Sequence, residues 1–71
     1  MARLSADYTR FLRRLRLARE KAGLTQAEAA RRIGKRQAFV WKSEVGERRV
    51  DVIELKQFAE VYGVPIAFFY K

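Results

Sequence analysis

The sequence predicts an all-α fold, with five short helices in a single domain over residues 1–71. Three observations favour this fold. Apolar residues recur at intervals of three and four, which is the spacing of one face of a helix. Helix-capping residues and glycines stand at the ends of these apolar segments. No segment alternates apolar and polar residues for long enough to predict a strand, and 71 residues suffice for one small domain.

The first predicted helix is defined by an apolar stripe. The stripe consists of Tyr8, Phe11, Leu12, Leu15, Ala18 and Ala22. Ser5 or Asp7 can cap the start of the helix, and Gly23 can adopt the left-handed conformation that ends it. Leu17 lies roughly opposite the stripe and is expected at the surface. Four arginines also lie off the stripe, and most are expected to be solvated: Arg10, Arg13, Arg14 and Arg16.

The second predicted helix begins at a capping box, in which Thr25 caps the helix and Glu28 follows three residues later. Leu24 stands just outside the box, where an apolar residue can pack back onto the helix. The residues expected to face inward are Ala29, Ala30 and Ile33. Gly34 then ends the helix, because glycine accepts the positive φ that a tight turn requires.

The third helix is predicted over Gln37–Glu44 and is followed by a loop over residues 45–50. Val40 is expected to face inward. Ser43 is expected at a semi-buried position, with its hydroxyl bonded back to the helix backbone. Arg36 precedes the helix and is a poor capping residue, so this helix lacks a good N-cap.

The fourth helix begins at a second box-like pair, Asp51 and Glu54, and ends at Gly63. Its predicted stripe is Val52, Leu55, Phe58, Ala59 and Tyr62. Pro65 suits the first turn of a short fifth helix. The apolar residues of that helix are Ile66 and Phe69, and one or two of the aromatic residues Phe68, Phe69 and Tyr70 are expected to close the core.

The charge of the chain favours a polyanionic partner. Sixteen Lys and Arg residues against eight Asp and Glu leave a net charge of +8, and arginine is the commoner of the two basic residues. The chain has no cysteine and no histidine, so disulfides, thiolate metal sites and the commonest general base are excluded, and no cofactor or metal is expected. We find no pattern of an enzyme active site. No apolar run is long enough for a membrane span or a signal peptide, and we expect a cytoplasmic protein.

The second and third helices, over about residues 25–44, have the features of a helix-turn-helix. The small side chain of Ala30 permits a close crossing of two helices, and Gly34 permits the turn between them. Gln26 begins the second helix, where free backbone N–H groups favour an anion such as phosphate. Gln37 begins the third helix, whose N-terminal end enters the major groove in this motif, and a glutamine amide can pair with adenine N6 and N7.

The chain resembles the phage-repressor-like helix-turn-helix family, often called Xre/Cro-like, over about residues 8–70. The residues that carry the resemblance are Arg19, Gly23, Leu24, Thr25, Gln26, Ala30, Gly34, Gln37, Val40, Glu44, Gly46 and Glu47. The resemblance implies a lambda-repressor-like fold, a phosphate contact by Gln26 and a base contact by Gln37, with the two amides supporting each other. It also implies a structural ion pair between Arg19 and Glu44.

The predicted DNA-facing residues are Gln26, Arg36, Gln37, Ala38, Trp41, Lys42, Arg48 and Arg49. Arg48 and Arg49 lie in the loop after the third helix and are predicted to contact phosphates. The chain departs from the family pattern at Arg36, at Lys35, where an apolar residue is common, and at Trp41. Trp41 either faces DNA, where it can touch a thymine methyl group or pack on sugar, or folds back onto the surface of the domain.

The sequence therefore predicts a sequence-specific, double-stranded DNA-binding transcriptional regulator, acting as a repressor or autoregulator. Such proteins usually dimerise on a palindromic operator, and we expect a homodimer. The expected dimer contact is the loop before the fourth helix together with the C-terminal segment around Val64, Ile66 and Tyr70. The alternative is a protein-interaction module of the same fold, such as an antitoxin-type protein that binds a partner.

Overall fold

A computed structural model describes residues 4–71, so the first three residues of the predicted domain lie outside it. Four α-helices are followed by a 3₁₀ helix, and the described residues contain no strand. The elements are α1 (Ala6–Lys21), α2 (Gln26–Ile33), α3 (Gln37–Val45), α4 (Val52–Tyr62) and the 3₁₀ helix Ile66–Tyr70. The all-α prediction is confirmed, and α3 is one residue longer than predicted.

Three of the four α-helices begin where their capping residues predict. The Ser5 hydroxyl accepts a hydrogen bond from the Tyr8 backbone N–H at 3.0 Å, so Ser5 is the cap of α1. The boxes that open α2 and α4 are complete, because each cap and each glutamate three residues later bond to the other's backbone N–H. Arg36 precedes helix α3 and makes no side-chain capping bond, as predicted. The first turn of α3 must therefore be stabilised by packing against the rest of the domain.

Glycines in the left-handed conformation follow the α-helices, as predicted for three of the four ends. Gly34 has φ of 82° at the turn between α2 and α3, a conformation that other residues rarely adopt. Gly46 ends α3 with φ of 85° and also has a steric role. A Cβ at Gly46 would lie 2.7 Å from Leu4 Cδ1 and 3.0 Å from Leu12 Cδ1. The positive φ favours glycine at that position, and any Cβ there would also displace the ends of the Leu4 and Leu12 side chains.

The helices enclose one apolar core. Helix α1 packs against α3, α4 and the 3₁₀ helix, and α2 packs against α3 and α4. The most deeply buried side chains are Leu15, Ala18, Ala29, Val40, Ser43, Phe58 and Phe69. The Phe39 ring stacks on Phe58, with centroids 5.9 Å apart, and Phe58 stacks on Tyr62 at 5.7 Å. This aromatic stack joins α3 to α4 and holds the surface of α3 that bears the candidate site.

The structure corrects three sequence predictions about packing. The fifth element is a 3₁₀ helix, because its five residues are held by an i to i+3 bond from Phe68 N–H to Pro65 O at 2.9 Å. Ala22 is exposed because it lies beyond the end of α1. Val52 is 79% exposed, since the first turn of α4 extends past the core and borders a surface cleft.

Arg14 is not simply solvated, although Leu17 is exposed as predicted. The Arg14 Nε–H donates to the Phe68 carbonyl oxygen at 2.9 Å, and its guanidinium carbon lies 3.9 Å from the centre of the Phe68 ring. A cation over an aromatic face is attracted by the ring quadrupole. Arg14 therefore ties α1 to the 3₁₀ helix, while Phe68 and Phe69 close the core and Tyr70 stays exposed.

Candidate nucleic-acid interface

Helix α3 presents one face to the core and the other to solvent. The inward residues are Phe39, Val40, Ser43 and Glu44, and the exposed residues are Gln37, Ala38, Trp41, Lys42 and Val45. The exposed set follows the spacing of one helix face. Four of the predicted DNA-facing residues thus share a single surface, which we call the outer face of α3. Trp41 is 43% exposed on it, so part of its side chain is open to solvent.

Packing determines which face of α3 points outward. Val40 of α3 and Ala30 of α2 are buried, and the two helices pack together. The Ser43 hydroxyl donates to the Phe39 carbonyl oxygen at 2.7 Å, which is the predicted bond back to the helix backbone. A helix anchored by apolar side chains and a satisfied serine has a defined rotation about its own axis. The outer face is therefore a preformed surface.

Arg19 and Glu44 form a bidentate ion pair at the base of this surface. Arg19 Nε–H donates to Glu44 Oε2 at 2.6 Å, and the second bond, to Oε1, is 3.1 Å long. The side chains are only 12% and 4% exposed. The third guanidinium nitrogen donates to the Leu24 carbonyl oxygen at 3.0 Å. The hydrogen bond to Glu44 raises the pKa of Arg19, so the pair links α1, α3 and the start of α2 as fixed charges.

Gln26 is bonded to the same carboxylate. Its Nε2 donates to Glu44 Oε1 at 3.1 Å, and no hydrogen bond joins it to Gln37 among the described side chains. The mutual support of two amides implied by the family resemblance is therefore replaced by support from Glu44. This bond positions the Gln26 amide at the first residue of α2, beside free backbone N–H groups. Gln37 is exposed at the first residue of α3.

Arg48 is held within the protein by three partners. Its guanidinium donates to the Ser43 hydroxyl at 3.1 Å and to Glu54 Oε2 at 2.6 Å. Its guanidinium carbon also lies 4.3 Å from the centre of the Phe39 ring. The phosphate contact predicted from its position in the loop would compete with all three partners. The geometry thus gives Arg48 a structural task, which is to connect the end of α3 to the start of α4.

The ion pair between Arg48 and Glu54 makes the stability of the fold depend on pH. The Arg48 hydrogen bond lowers the pKa of Glu54 below its ordinary value of 4.5. A lowered folded-state pKa contributes stability above the unfolded pKa, and this contribution is lost as the pH falls through the folded value. We expect the free energy of unfolding to fall as the pH drops below about 4.5, the ordinary pKa of a glutamate.

Urea titrations at several pH values measure this effect. Glu54→Gln should weaken the pH dependence, because the titrating group is removed. The matched control is Glu60→Gln, which changes an exposed glutamate on the same helix. A Glu54→Gln protein with the unaltered acid profile would contradict the prediction. A residual slope should remain in this variant, since the capping bond to the Thr25 backbone also lowers the pKa of Glu28.

The remaining predicted contacts, Arg36, Lys42 and Arg49, are exposed cations without a salt bridge to any described residue. The guanidinium carbon of Arg49 lies 4.4 Å from the centre of the Tyr8 ring, so this side chain rests on α1 with one face open to solvent. Sequence reasoning did not select three further exposed cations nearby that are equally unpaired: Arg31, Arg32 and Lys35. These cations leave the region around α2 and α3 strongly positive.

Sequence reasoning also missed Phe39 and Glu54 as residues that shape the site. Phe39 carries Arg48 over its ring and lies next to Val40, a pairing that a wider inward stripe on α3 could have indicated. Glu54 was predicted only as a capping residue, and it both caps α4 and holds Arg48. Glu54 follows Arg48 by six positions, which is not a helix spacing, so no local signal could have revealed the pair.

Within residues 4–71, no helix is both long and apolar enough to cross a membrane, and no three potential metal ligands cluster together. Residues 15–69 match a family model described as helix-turn-helix. No curated protein matches the chain. The matched segment includes the Arg19–Glu44 pair, the whole of α2 and α3, and the loop that carries Arg48.

Proposed function

The chain belongs to the phage-repressor-like (Xre/Cro-like) helix-turn-helix family, a DNA-binding family, and from this premise we propose that it is a sequence-specific transcriptional regulator. The proposed ligand is double-stranded DNA, the proposed mode of action is repression or autoregulation, and the proposed location is the cytoplasm. The activity is binding and not catalysis. Helix α3 enters the major groove, and α2 lies against the backbone at its N-terminal end.

The observation that carries the proposal is the outer face of α3. It places Gln37, at the N-terminal end of the helix, on the same exposed surface as Lys42. An amide can pair with adenine N6 and N7, and an ammonium group attracts phosphate. Buried contacts through Val40 and Phe39 hold this face outward, so little ordering is needed when DNA binds.

A second group of contacts supports binding to the phosphate backbone. Gln26 stands at the N-terminus of α2 with its amide oriented by Glu44, beside backbone N–H groups that attract an anion. The exposed, unpaired cations around α2 and α3 add a sequence-independent attraction. In this arrangement, the phosphate contacts set the position of the protein on DNA, and the outer face of α3 distinguishes the bases.

Selection of bound duplexes from a random DNA pool tests the proposed function. We expect one sequence to be enriched and to bind far more tightly than a scrambled duplex at the same salt concentration. A triple variant with Gln37, Lys42 and Arg49 changed to alanine should enrich nothing. A variant with three other exposed side chains changed, Arg13, Gln57 and Glu60, is the matched control. Failure of the unmodified protein to enrich any sequence would contradict the proposal.

We further propose that the protein binds a palindromic operator as a homodimer. The proposed contact joins the loop before α4 to the C-terminal segment, including Val64, Ile66 and Tyr70. Val50, Val52 and Tyr70 border the same surface cleft of about 440 Å³. Ile53, Ile66 and Tyr70 are exposed apolar residues, and an apolar surface of this kind is typical of a protein contact.

Val52→Asp tests the dimer. The aspartate lies in the first turn of α4, where a negative charge is favourable, so folding should be preserved while the apolar contact is lost. We expect a monomer by sedimentation and a loss of protection at one of two half-sites about 10 bp apart. Gln57→Asp makes the same charge change elsewhere on α4 and should stay dimeric. An unmodified protein that is monomeric both free and on DNA would contradict this prediction.

The same exposed residues favour a second function, a protein-interaction module such as an antitoxin-type partner-binding protein. In that case the surface around Val52, Ile53 and Tyr70 would bind a different chain. A gel-shift experiment with genomic DNA at moderate salt distinguishes the two functions. A regulator gives a discrete complex that scrambled competitor does not remove, and an interaction module gives none.

A further inference from the structure

The outer face of α3 is unusually apolar for a surface that meets DNA. Three of its five residues are apolar, and they lie three and four positions apart: Ala38, Trp41 and Val45. The indole of Trp41 is 43% exposed. Among the described residues it packs against no other aromatic ring, receives no cation over its face and donates no side-chain hydrogen bond. The exposed part of the ring is therefore open to a partner molecule.

The major groove offers a single apolar group on the edges of the bases. The other groups there are hydrogen-bond donors and acceptors, whereas thymine presents the methyl group on C5. An indole placed on that methyl removes apolar surface from water on both partners, which is favourable. The chemistry recognised is a methyl group on pyrimidine C5, and 5-methylcytosine presents the same group.

The position of Trp41 limits which base it can reach. Trp41 follows Gln37 by four residues, on the same helix face. Four residues advance about 6 Å along a helix axis, and stacked base pairs are about 3.4 Å apart. Trp41 therefore lies within about two base pairs of the pair that Gln37 contacts.

We propose that Trp41 is a specificity-determining residue that contacts a pyrimidine 5-methyl group, that of thymine in unmodified DNA. This proposal rests on the proposed function, because it names what the outer face of α3 recognises beside the base pair contacted by Gln37. In this proposal the apolar residues of the outer face of α3 recognise methyl groups. Trp41 then contributes to sequence recognition, and not to the core or to a phosphate contact.

The test uses the duplex selected from the random pool, with each thymine in turn replaced by deoxyuridine, which removes only the methyl group. At one position we expect affinity to fall by about fourfold, the effect of one buried methyl group. Trp41→Ala should bind thymine and deoxyuridine duplexes equally. Replacing that thymine by cytosine and by 5-methylcytosine separates the methyl group from the base, and the methylated duplex should bind the unmodified protein more tightly.

Trp41 is the only tryptophan of the chain, so intrinsic fluorescence reports on it directly. Its emission should change when the selected duplex binds, and the change should be smaller with the deoxyuridine duplex. Leu17→Ala, at a side chain 38% exposed on α1, is the matched control and should keep full methyl discrimination.

Three results would overturn the proposal. The first is a selected sequence with no thymine within two base pairs of the pair that depends on Gln37. The second is equal binding of thymine and deoxyuridine duplexes by the unmodified protein, and the third is a Trp41→Ala protein that still discriminates. Packing of the ring on sugar gives the second result. In each case specific binding persists, so only the role of Trp41 fails; the proposed function fails when no sequence is enriched.

Discussion

Glu44→Ala should lower the free energy of unfolding by about 3–5 kcal/mol, because it leaves the largely buried guanidinium of Arg19 without its carboxylate. The variant also removes the acceptor that orients Gln26. A domain of this length is stable by roughly 4–11 kcal/mol, so much of its stability depends on this one side chain. Urea denaturation followed by circular dichroism measures the loss.

Glu47→Ala is the control for this experiment. Glu47 follows Glu44 by three residues, is exposed, and makes no side-chain hydrogen bond or salt bridge with a described residue. Its removal should change stability by no more than about 0.5 kcal/mol. The double variant Arg19→Ala, Glu44→Ala should lose less than the sum of the two single losses, since both charges disappear together. A Glu44→Ala protein as stable as the unmodified chain would refute the role of the pair.

Gln37→Ala should relax the preference at a single base pair of the operator. A bidentate contact between a glutamine amide and adenine contributes about 1–3 kcal/mol of discrimination, and alanine cannot make it. The dependence of affinity on salt should stay nearly unchanged, because no charge is lost. Binding titrations on the selected duplex and on a scrambled duplex, each at several salt concentrations, give both quantities.

Arg49→Ala is the matched phosphate variant. It should weaken binding to both duplexes by a similar factor and reduce the slope of log affinity against log salt by about 0.9. Arg48→Ala is the poorer choice, because it also breaks the contacts to Ser43 and Glu54 and should destabilise the fold. If Gln37→Ala lowers both affinities by the same factor, Gln37 does not read a base and the site assignment is wrong at its centre.

Much of the fold could be predicted because its helix boundaries are local. The capping bonds of Thr25 with Glu28 and of Asp51 with Glu54 join residues three apart, and the sequence shows that spacing directly. Gly34 ends a helix through its own backbone conformation. The fifth helix was the exception, since the hydrogen-bond pattern of five residues depends on where Phe68 and Phe69 must pack.

The candidate site was predictable only in part. The position of Gln37 at the start of a helix follows from the helix boundary, whereas its exposure is seen only in the structure. The partner of Gln26 did not follow, because Glu44 lies 18 residues away and meets it only when α2 and α3 cross. The contacts of Arg48 within the fold could not be predicted either, because the geometry of the loop brings this side chain to Phe39 and Glu54.

The sequence by itself determined the helices, their ends, the basic character and the helix-turn-helix order of this protein, because caps, glycines and apolar spacing act within a few residues. Only the tertiary structure decided which polar side chains remain available. It buried Glu44 with Arg19, held Arg48 in the fold and left Trp41 exposed. The physical reason is that a side chain's hydrogen bonds and exposure depend on neighbours from other helices, and those neighbours are set when the core packs.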